Sequence, residues 1–159
     1  MKIGGVAVNG PKKTTLVLPR DEGNLVFYFV AVTDDAEFDK MYPEPEPPVT
    51  FNVKLQQNIK QFKDEGYIAK LVARNKIKNA WLMLQSIAPS NIEWDTVKLD
   101  DPSTFTNWDE DLRKAGLNLA ELNAIYEYFG KANYVTDAML DEARSSFLAS
   151  QAAVQLPPQ

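Results

Sequence analysis

Hydrophobic residues in the first part of the chain follow a pattern typical of β-strands. The run Thr14 to Leu18 is short and β-branched, and Leu25 to Val32 is nearly continuous in valine, phenylalanine and tyrosine. The polar stretch Pro19 to Asn24 lies between them, and its Gly23 accommodates the positive φ of a turn. These runs predict an antiparallel hairpin. Helices or a partner must cover the second run, because it would aggregate if exposed. Lys2 to Val8 is a shorter strand candidate broken by glycine.

From Asp64 to Ile87 the apolar residues change to helical spacing. They recur at i, i+3, i+4 and i+7, which predicts one long helix that organises the core, with Trp81 and Leu84 buried. Pro89 ends it. The apolar positions are Tyr67, Ile68, Leu71, Val72, Ile77, Ala80, Trp81, Leu84 and Ile87. Basic residues occupy the other face, where we expect them in water or against a partner: Lys70, Arg74, Lys76 and Lys78.

Shorter helices with recognisable start signals surround this long one. Thr33 to Asp35 predicts the start of a short helix before Pro43, and Asp101 with Pro102 and then Thr106 to Asp109 predict the next starts. Gly116 suits the position just after a helix, Asn118 to Glu121 resembles a capping box, and Thr136 with Asp137 caps the last helix. The residues expected to face inward are Phe38, Met41, Leu112, Leu119, Leu122, Ile125, Phe129, Leu140, Ala143 and Phe147.

Together these elements predict an α+β fold in which a small N-terminal antiparallel sheet packs on a mainly helical C-terminal half. We expect one domain over residues 1–149, with a β-rich part at 1–42 and a helical part at 64–149. The connector 43–63 holds four prolines between Pro43 and Pro48, which favours an extended, semi-rigid spacer. A flexible tail is expected over residues 150–159.

The composition excludes several classes of chemistry. The 159 residues contain neither cysteine nor histidine, so thiolate nucleophiles, iron–sulfur clusters, cysteine-ligated zinc and imidazole bases are absent. The first ten residues lack the apolar core of a signal peptide, and no segment reaches the length of a membrane span. These features predict a soluble protein of the cytoplasm that has no cofactor.

No catalytic or metal site is predicted. Asp100 with Asp101, and Asp109 to Asp111, could form a carboxylate pair or a calcium loop, but they lack the ligand spacing of that loop and fit helix starts better. Ser145 and Ser146 have no nearby base that could activate a hydroxyl. We therefore expect the chain not to be an enzyme.

Charge is unevenly distributed along the chain. The net charge of −5 divides into −3 for residues 1–53, +5 for 54–90 and −7 for 91–159. The last two helices invite comparison with a helix-turn-helix, but the acidic last helix would repel phosphate. We therefore expect no direct contact with nucleic acid and none with a membrane.

Surface residues are consequently the main candidates for function. Aromatic side chains are enriched at binding hot spots, which draws attention to Trp81, Trp94 and Trp108, with core packing the stronger expectation for Trp81. Tyr126 and Tyr128 cannot both lie on the face of Ile125 and Phe129, so at least one should be exposed. The candidate partner-binding residues are Tyr126, Tyr128, Tyr134, Lys70, Arg74 and Lys78.

Several segments also resemble a set of bacteriophage and prophage proteins described as tail assembly chaperones or tail-module proteins. The basic segment from Val49 to Lys78 departs from the pattern. The segments that carry the resemblance are Met1 to Gly5, Gly10 to Lys12, Leu18 to Arg20, Glu37 with Phe38, Pro43 to Pro45, Ile92 to Val97, Asp101 to Thr104, Ala115 to Leu117, Ala120 to Asn123, Ala132 with Asn133, Leu140 to Arg144, and Phe147 with Leu148. The resemblance implies a non-catalytic role in the host cytoplasm, binding a tail protein, with the tape-measure protein as the usual client of the class. The alternative is a structural subunit of the virion, in the tail or connector. Other phage tail proteins and further copies of the chain are the partners expected.

Overall fold

The computed structural model describes residues 1–154, with side chains through residue 151, and it confirms the α+β class. The strands form two-stranded antiparallel sheets: β1 (Lys2–Ile3) with β2 (Val6–Ala7), β3 (Lys13–Leu18) with β4 (Leu25–Val30), and β5 (Val49–Asn52) with β6 (Gln57–Lys60). The helices are α1 (Ala36–Met41), α2 (Glu65–Ile87), α3 (Trp108–Lys114), α4 (Leu119–Asn133) and α5 (Asp137–Val154), with 3₁₀ helices at Ala88–Ser90 and Pro102–Asn107. Within residues 1–154, no helix combines the length and apolar content needed to cross a membrane.

The β3–β4 hairpin confirms the predicted antiparallel pair and forms one wall of the core. Leu16 lies opposite Phe27 in the antiparallel register, and both are buried together with Phe29. Val26 and Tyr28 alternate to the outer face and are exposed. The predicted covering layer is supplied by α2 and α4, which pack on this hairpin.

The long helix α2 begins and ends where the sequence predicts. The Asp64 carboxylate caps it by accepting a 2.8 Å hydrogen bond from the Tyr67 backbone N–H. Burial is concentrated in its second half, where Trp81 and Leu84 are buried as expected. The inward orientation predicted for Ile68 and Val72 is wrong: both are exposed, because the buried part of the helix begins largely after them.

The ends of α3 and α4 also follow the predicted signals. Gly116 has φ of +98°, and the next N–H, of Leu117, donates to the Leu112 carbonyl, which completes a Schellman motif. Asn118 and Glu121 form both hydrogen bonds of a capping box. Leu119 was expected to face inward, but it is exposed because it is the first residue of α4, ahead of the turns that meet the core.

The last helix differs from the prediction in its packing. Leu140, Ala143 and Phe147 were expected to face inward, but every described side chain of α5 is exposed except half-buried Met139. The helix continues through Val154, so residues 150–154 are helical where a flexible tail was expected. The rest of that tail, residues 155–159, lies outside the described residues.

The connector 43–63 contains a hairpin that the proline pattern does not predict. Val49 pairs with Lys60 and Phe51 with Asn58, and the Gln61 N–H donates to the Pro48 carbonyl across its base. We call the segment 49–63 the arm. All of its side chains are exposed except those of Asn52 and Ile59, which are half-buried.

Candidate functional site

A cleft of about 490 Å³ lies among α2, the 3₁₀ helix Pro102–Asn107, α3 and α4. Buried apolar side chains form its floor, and polar or half-exposed side chains form its rim. We call it the aromatic cleft. Its floor consists of Ala80, Met83, Trp108 and Phe129, and its rim consists of Lys76, Asn79, Thr106, Asp109, Tyr126 and Tyr134.

Two edge-to-face aromatic pairs fix the rim tyrosines above the floor. The rings of Trp108 and Tyr126 have centroids 5.1 Å apart at 69°, and those of Phe129 and Tyr134 are 5.7 Å apart at 88°. Such geometry is the favourable one for aromatic quadrupoles. Tyr126 is 50% exposed and Tyr134 is 54% exposed, so each ring packs on one side and meets solvent on the other. The cleft is therefore preformed and can accept an apolar group.

The position of Tyr126 at the rim shifts the pKa of its hydroxyl. Burial, followed by the nearby Asp109 carboxylate, raises the pKa of Tyr126, while Arg113 opposes the shift. Asp109 is itself paired with Arg113 at 3.3 Å, one turn along α3. Lys76 contributes a cation from α2 on the rim. The cleft thus has an apolar floor and a rim that carries both a cation, Lys76, and a carboxylate, Asp109.

The carboxylates considered in the sequence have structural partners. Asp101 caps the 3₁₀ helix by accepting hydrogen bonds from the Ser103 backbone N–H at 3.1 Å and its hydroxyl at 2.6 Å, and these lower the pKa of Asp101. Asp111 is buried, and accepts from the Thr96 N–H at 2.9 Å, the Thr96 hydroxyl at 2.8 Å and the Val97 N–H at 3.4 Å. These hydrogen bonds, which we call the Asp111 clamp, hold the segment before the 3₁₀ helix against α3, and the sequence did not predict them. Across the described residues, no group of three or more metal-ligating side chains is assembled.

The structure places the three candidate tyrosines on two different surfaces. Tyr126 and Tyr134 both line the aromatic cleft. Tyr128 is half-buried against the core, with its ring beneath the Lys131 ammonium at 4.3 Å and its carbonyl accepting from the Thr14 hydroxyl at 3.1 Å. The expectation that at least one of Tyr126 and Tyr128 is exposed is confirmed by Tyr126.

Of the three candidate basic residues, two pair with residues of the chain itself and one is exposed. The outward placement expected of Arg74 is wrong, because its buried guanidinium hydrogen-bonds Asp39 at 2.5 Å and the Tyr42 carbonyl at 3.0 Å, and covers the Phe38 ring. Lys78, one turn later, pairs with Asp35 at 2.5 Å, and this bond raises the pKa of Lys78 and lowers that of Asp35. Both cations are therefore used to attach α1. Lys70 is exposed, as expected.

Sequence reasoning found part of the cleft and missed the rest. Trp108 and the two tyrosines were recognised as interface-type residues. Lys76 and Asn79 were not singled out for the cleft, because nothing in the sequence says which polar positions of α2 border a depression. The small Ala80 of the floor, next to Asn79 in the sequence, was the available signal, since a small side chain leaves space among large ones.

Comparison of the chain with protein-family models, with curated proteins and with solved structures found no match.

Proposed function

We propose that this chain is a non-catalytic phage tail assembly chaperone that binds an apolar or aromatic segment of a tail protein in the aromatic cleft. The observation that carries the proposal is the preformed apolar floor flanked by two half-exposed tyrosines. Buried anchors in such pockets, surrounded by a polar rim, dominate protein-binding energies. The tape-measure protein is the client that the sequence resemblance favours.

The remaining features of the proposal follow from chemistry and charge. Binding takes place in the host cytoplasm before the tail is complete, without direct contact to nucleic acid or membrane. The two rim tyrosines supply area at low conformational entropy, and the charged rim groups aid encounter more than affinity. Reversible binding is what an assembly chaperone requires, because it must release its client.

A substitution that fills the cleft tests the proposal. Asn79 is exposed on the rim, so Asn79→Trp obstructs the cleft without removing a core contact. Asn75, one turn earlier on α2, is also exposed and does not line the cleft, which makes Asn75→Trp the matched control. Tagged chains are used to capture proteins from phage-producing cells, and the client is quantified by mass spectrometry.

We expect Asn79→Trp to reduce recovery of one tail protein at least about tenfold, equivalent to roughly 1.4 kcal/mol. Asn75→Trp should leave recovery unchanged. Equal recovery with both variants, in chains that remain folded by circular dichroism, would remove the cleft from the proposal.

A second candidate function is a structural subunit of the virion, in the tail or connector. The exposed arm favours it, because hairpins that extend from a core are suited to joining neighbouring subunits. Mass spectrometry of purified particles distinguishes the two candidates. A chaperone is absent from mature particles, whereas a structural subunit is present in a fixed copy number.

A further inference from the structure

Two elements at different places in the chain expose apolar faces and carry opposite charge. The arm displays Val49 and Phe51, which are 55% and 59% exposed, and α5 displays Leu140 and Phe147, which are 56% and 60% exposed. The arm has three lysines and no acidic residue, namely Lys54, Lys60 and Lys63. The described helix α5 has three acidic residues and one basic residue, namely Asp137, Asp141, Glu142 and Arg144.

The charges border the apolar faces directly. Val49 and Lys60 are cross-strand partners, so the lysine lies on the same face of the arm as Val49 and Phe51. In α5, Leu140 and Phe147 are seven residues apart and share one stripe. Arg144, Asp137 and Asp141 all lie on one side of this stripe, at about 40°, 60° and 100° around the helix from Leu140, so two acids and one cation border it there. The stripe is about 10 Å long and the Val49–Phe51 edge about 7 Å, so one can cover the other.

Each element also lacks the packing that normally stabilises its type. Most of the stability of a helix in a protein comes from packing of its apolar face, and most of the described side chains of α5 are exposed. A lone two-stranded hairpin is only marginally stable in water, and packing against a helix is one of the arrangements that stabilises it. Packing of α5 on the arm would cover the exposed apolar residues of both elements.

We propose that copies of this chain associate head to tail, with α5 of one copy packed on the arm of the next. The interface is heterologous, since different surfaces meet, so it propagates beyond a dimer into a ring or a filament. Opposite charges select the partner and set the register, while the apolar faces supply the affinity. The proposal concerns residues that do not line the aromatic cleft and does not depend on the client bound there.

Sedimentation velocity measures the association of the full chain from about 1 µM to about 1 mM, the range of weak complexes. We expect the average mass to rise beyond that of a dimer, and to rise less when salt is increased from about 0.05 to about 0.5 M, because screening weakens the charge pairing. Two variants each disrupt one of the two surfaces that meet in the interface. The arm variant carries Phe51→Ser and Lys60→Glu, and the helix variant carries Phe147→Ser and Asp141→Lys; all four positions are exposed, so both variants should fold.

Each variant alone should remain monomeric, because it has lost one of the two surfaces. An equimolar mixture should form a one-to-one dimer and stop there, since the intact helix of the arm variant fits the intact arm of the helix variant. A wild-type chain that stays monomeric to the highest concentration, as it would if α5 folded onto its own arm, overturns the proposal. A mixture that does not dimerise overturns it as well. If the arm variant still captures the client at the wild-type level, failure of the head-to-tail proposal does not count against client binding in the aromatic cleft.

Discussion

The carboxylate of Asp111 ties the segment before the 3₁₀ helix Pro102–Asn107 to α3. It is 4% exposed and accepts hydrogen bonds from both polar groups of Thr96 and from the backbone of Val97. A buried carboxylate is tolerated only when it is satisfied in this way. Because Trp108 lies on the same short helix and forms part of the cleft floor, this contact also helps to position the cleft.

Replacing Asp111 with Asn should destabilise the fold. Asp111→Asn removes the charge, so the hydrogen bonds from the Thr96 and Val97 N–H groups become neutral, and its amide nitrogen can only donate to the Thr96 hydroxyl, which must then accept. We expect this to lower the free energy of unfolding by about 1 to 2 kcal/mol. Glu110→Gln is the matched control on the same helix, since that exposed carboxylate makes only a surface pair with Lys114, and its change should stay within about 0.5 kcal/mol. Urea unfolding followed by tryptophan fluorescence measures both. Similar small effects of the two variants would contradict the clamp.

The same carboxylate makes stability depend on pH in a defined direction. Burial is the largest single influence and raises the pKa of Asp111, but the hydrogen bonds from Thr96, Val97 and Asp95 together lower it below the ordinary value of 3.8. Because the folded-state pKa is the lower one, this stabilisation is complete above a pH of about 5 and is lost as the pH falls through the folded pKa. Unfolding measured between about pH 6 and pH 2 should show a steeper loss for wild type than for Asp111→Asn. Parallel curves would rule out this linkage.

The structural role of a residue could be predicted from the sequence where its hydrogen-bond partner is only a few positions away in the chain. The caps at Asn118 and Gly116 were recognised because their hydrogen bonds span a few residues. Asp111 and Arg74 were not, because their partners are 15 and 35 residues away and only the folded chain brings them together. Burial of a charged side chain is invisible until its partner is known.

At the scale of elements, α1 is attached to α2 by one aromatic ring and two cations. Phe38 is fully buried against Trp81, with ring centroids 5.6 Å apart. Arg74 and Lys78 lie above the Phe38 ring and pair with the acidic residues of α1 and its start. The attachment therefore combines apolar burial with ion pairs.

Removing Arg74 should loosen this attachment. Arg74→Ala loses hydrogen bonds to Asp39 and to the Tyr42 carbonyl as well as packing on Phe38, and we expect destabilisation of about 2 kcal/mol. Lys70→Ala, one turn earlier at an exposed position, should change stability by less than about 0.5 kcal/mol. Thermal unfolding compares them. Equal stability of the two variants would mean that Arg74 does not brace α1.

The helix α5 should be dispensable for the core. A chain ending at Val135 loses no buried side chain among the described residues, so its free energy of unfolding should differ from that of the full chain by less than about 1 kcal/mol at low concentration. Urea unfolding measures this. A large loss of stability would mean that α5 packs on the core.

The period of apolar residues predicted most helices and the β3–β4 hairpin, but it did not predict what each element packs against. Leu140 and Phe147 form a regular apolar stripe, and the sequence alone does not state whether a stripe faces its own core or another molecule. The arm was missed because its second strand, Gln57–Lys60, is polar and follows a proline-rich stretch. Strand pairing depends on the partner more than on intrinsic preference.

At the scale of the whole molecule, surfaces rather than reactive groups carry the proposed function. The chain has no histidine or cysteine, and the carboxylates Asp101 and Asp111 serve its own backbone. The aromatic cleft, the arm and α5 remain as surfaces whose chemistry suits binding. The sequence singled out the two cleft tyrosines, Tyr126 and Tyr134, whereas the cleft itself depends on how α2, the 3₁₀ helix, α3 and α4 meet. The non-catalytic function stays a prediction.

Site-specific photo-crosslinking tests the central claim most directly. A benzophenone amino acid placed at Tyr126 reports what enters the aromatic cleft, and the same group at Tyr28, which is 48% exposed on β4, reports chance encounters at a position of equal exposure. In phage-producing cells we expect the Tyr126 position to crosslink one tail protein through an apolar or aromatic segment, and the Tyr28 position not to do so. The same set of proteins crosslinked from both positions would contradict the claim that this cleft binds a partner.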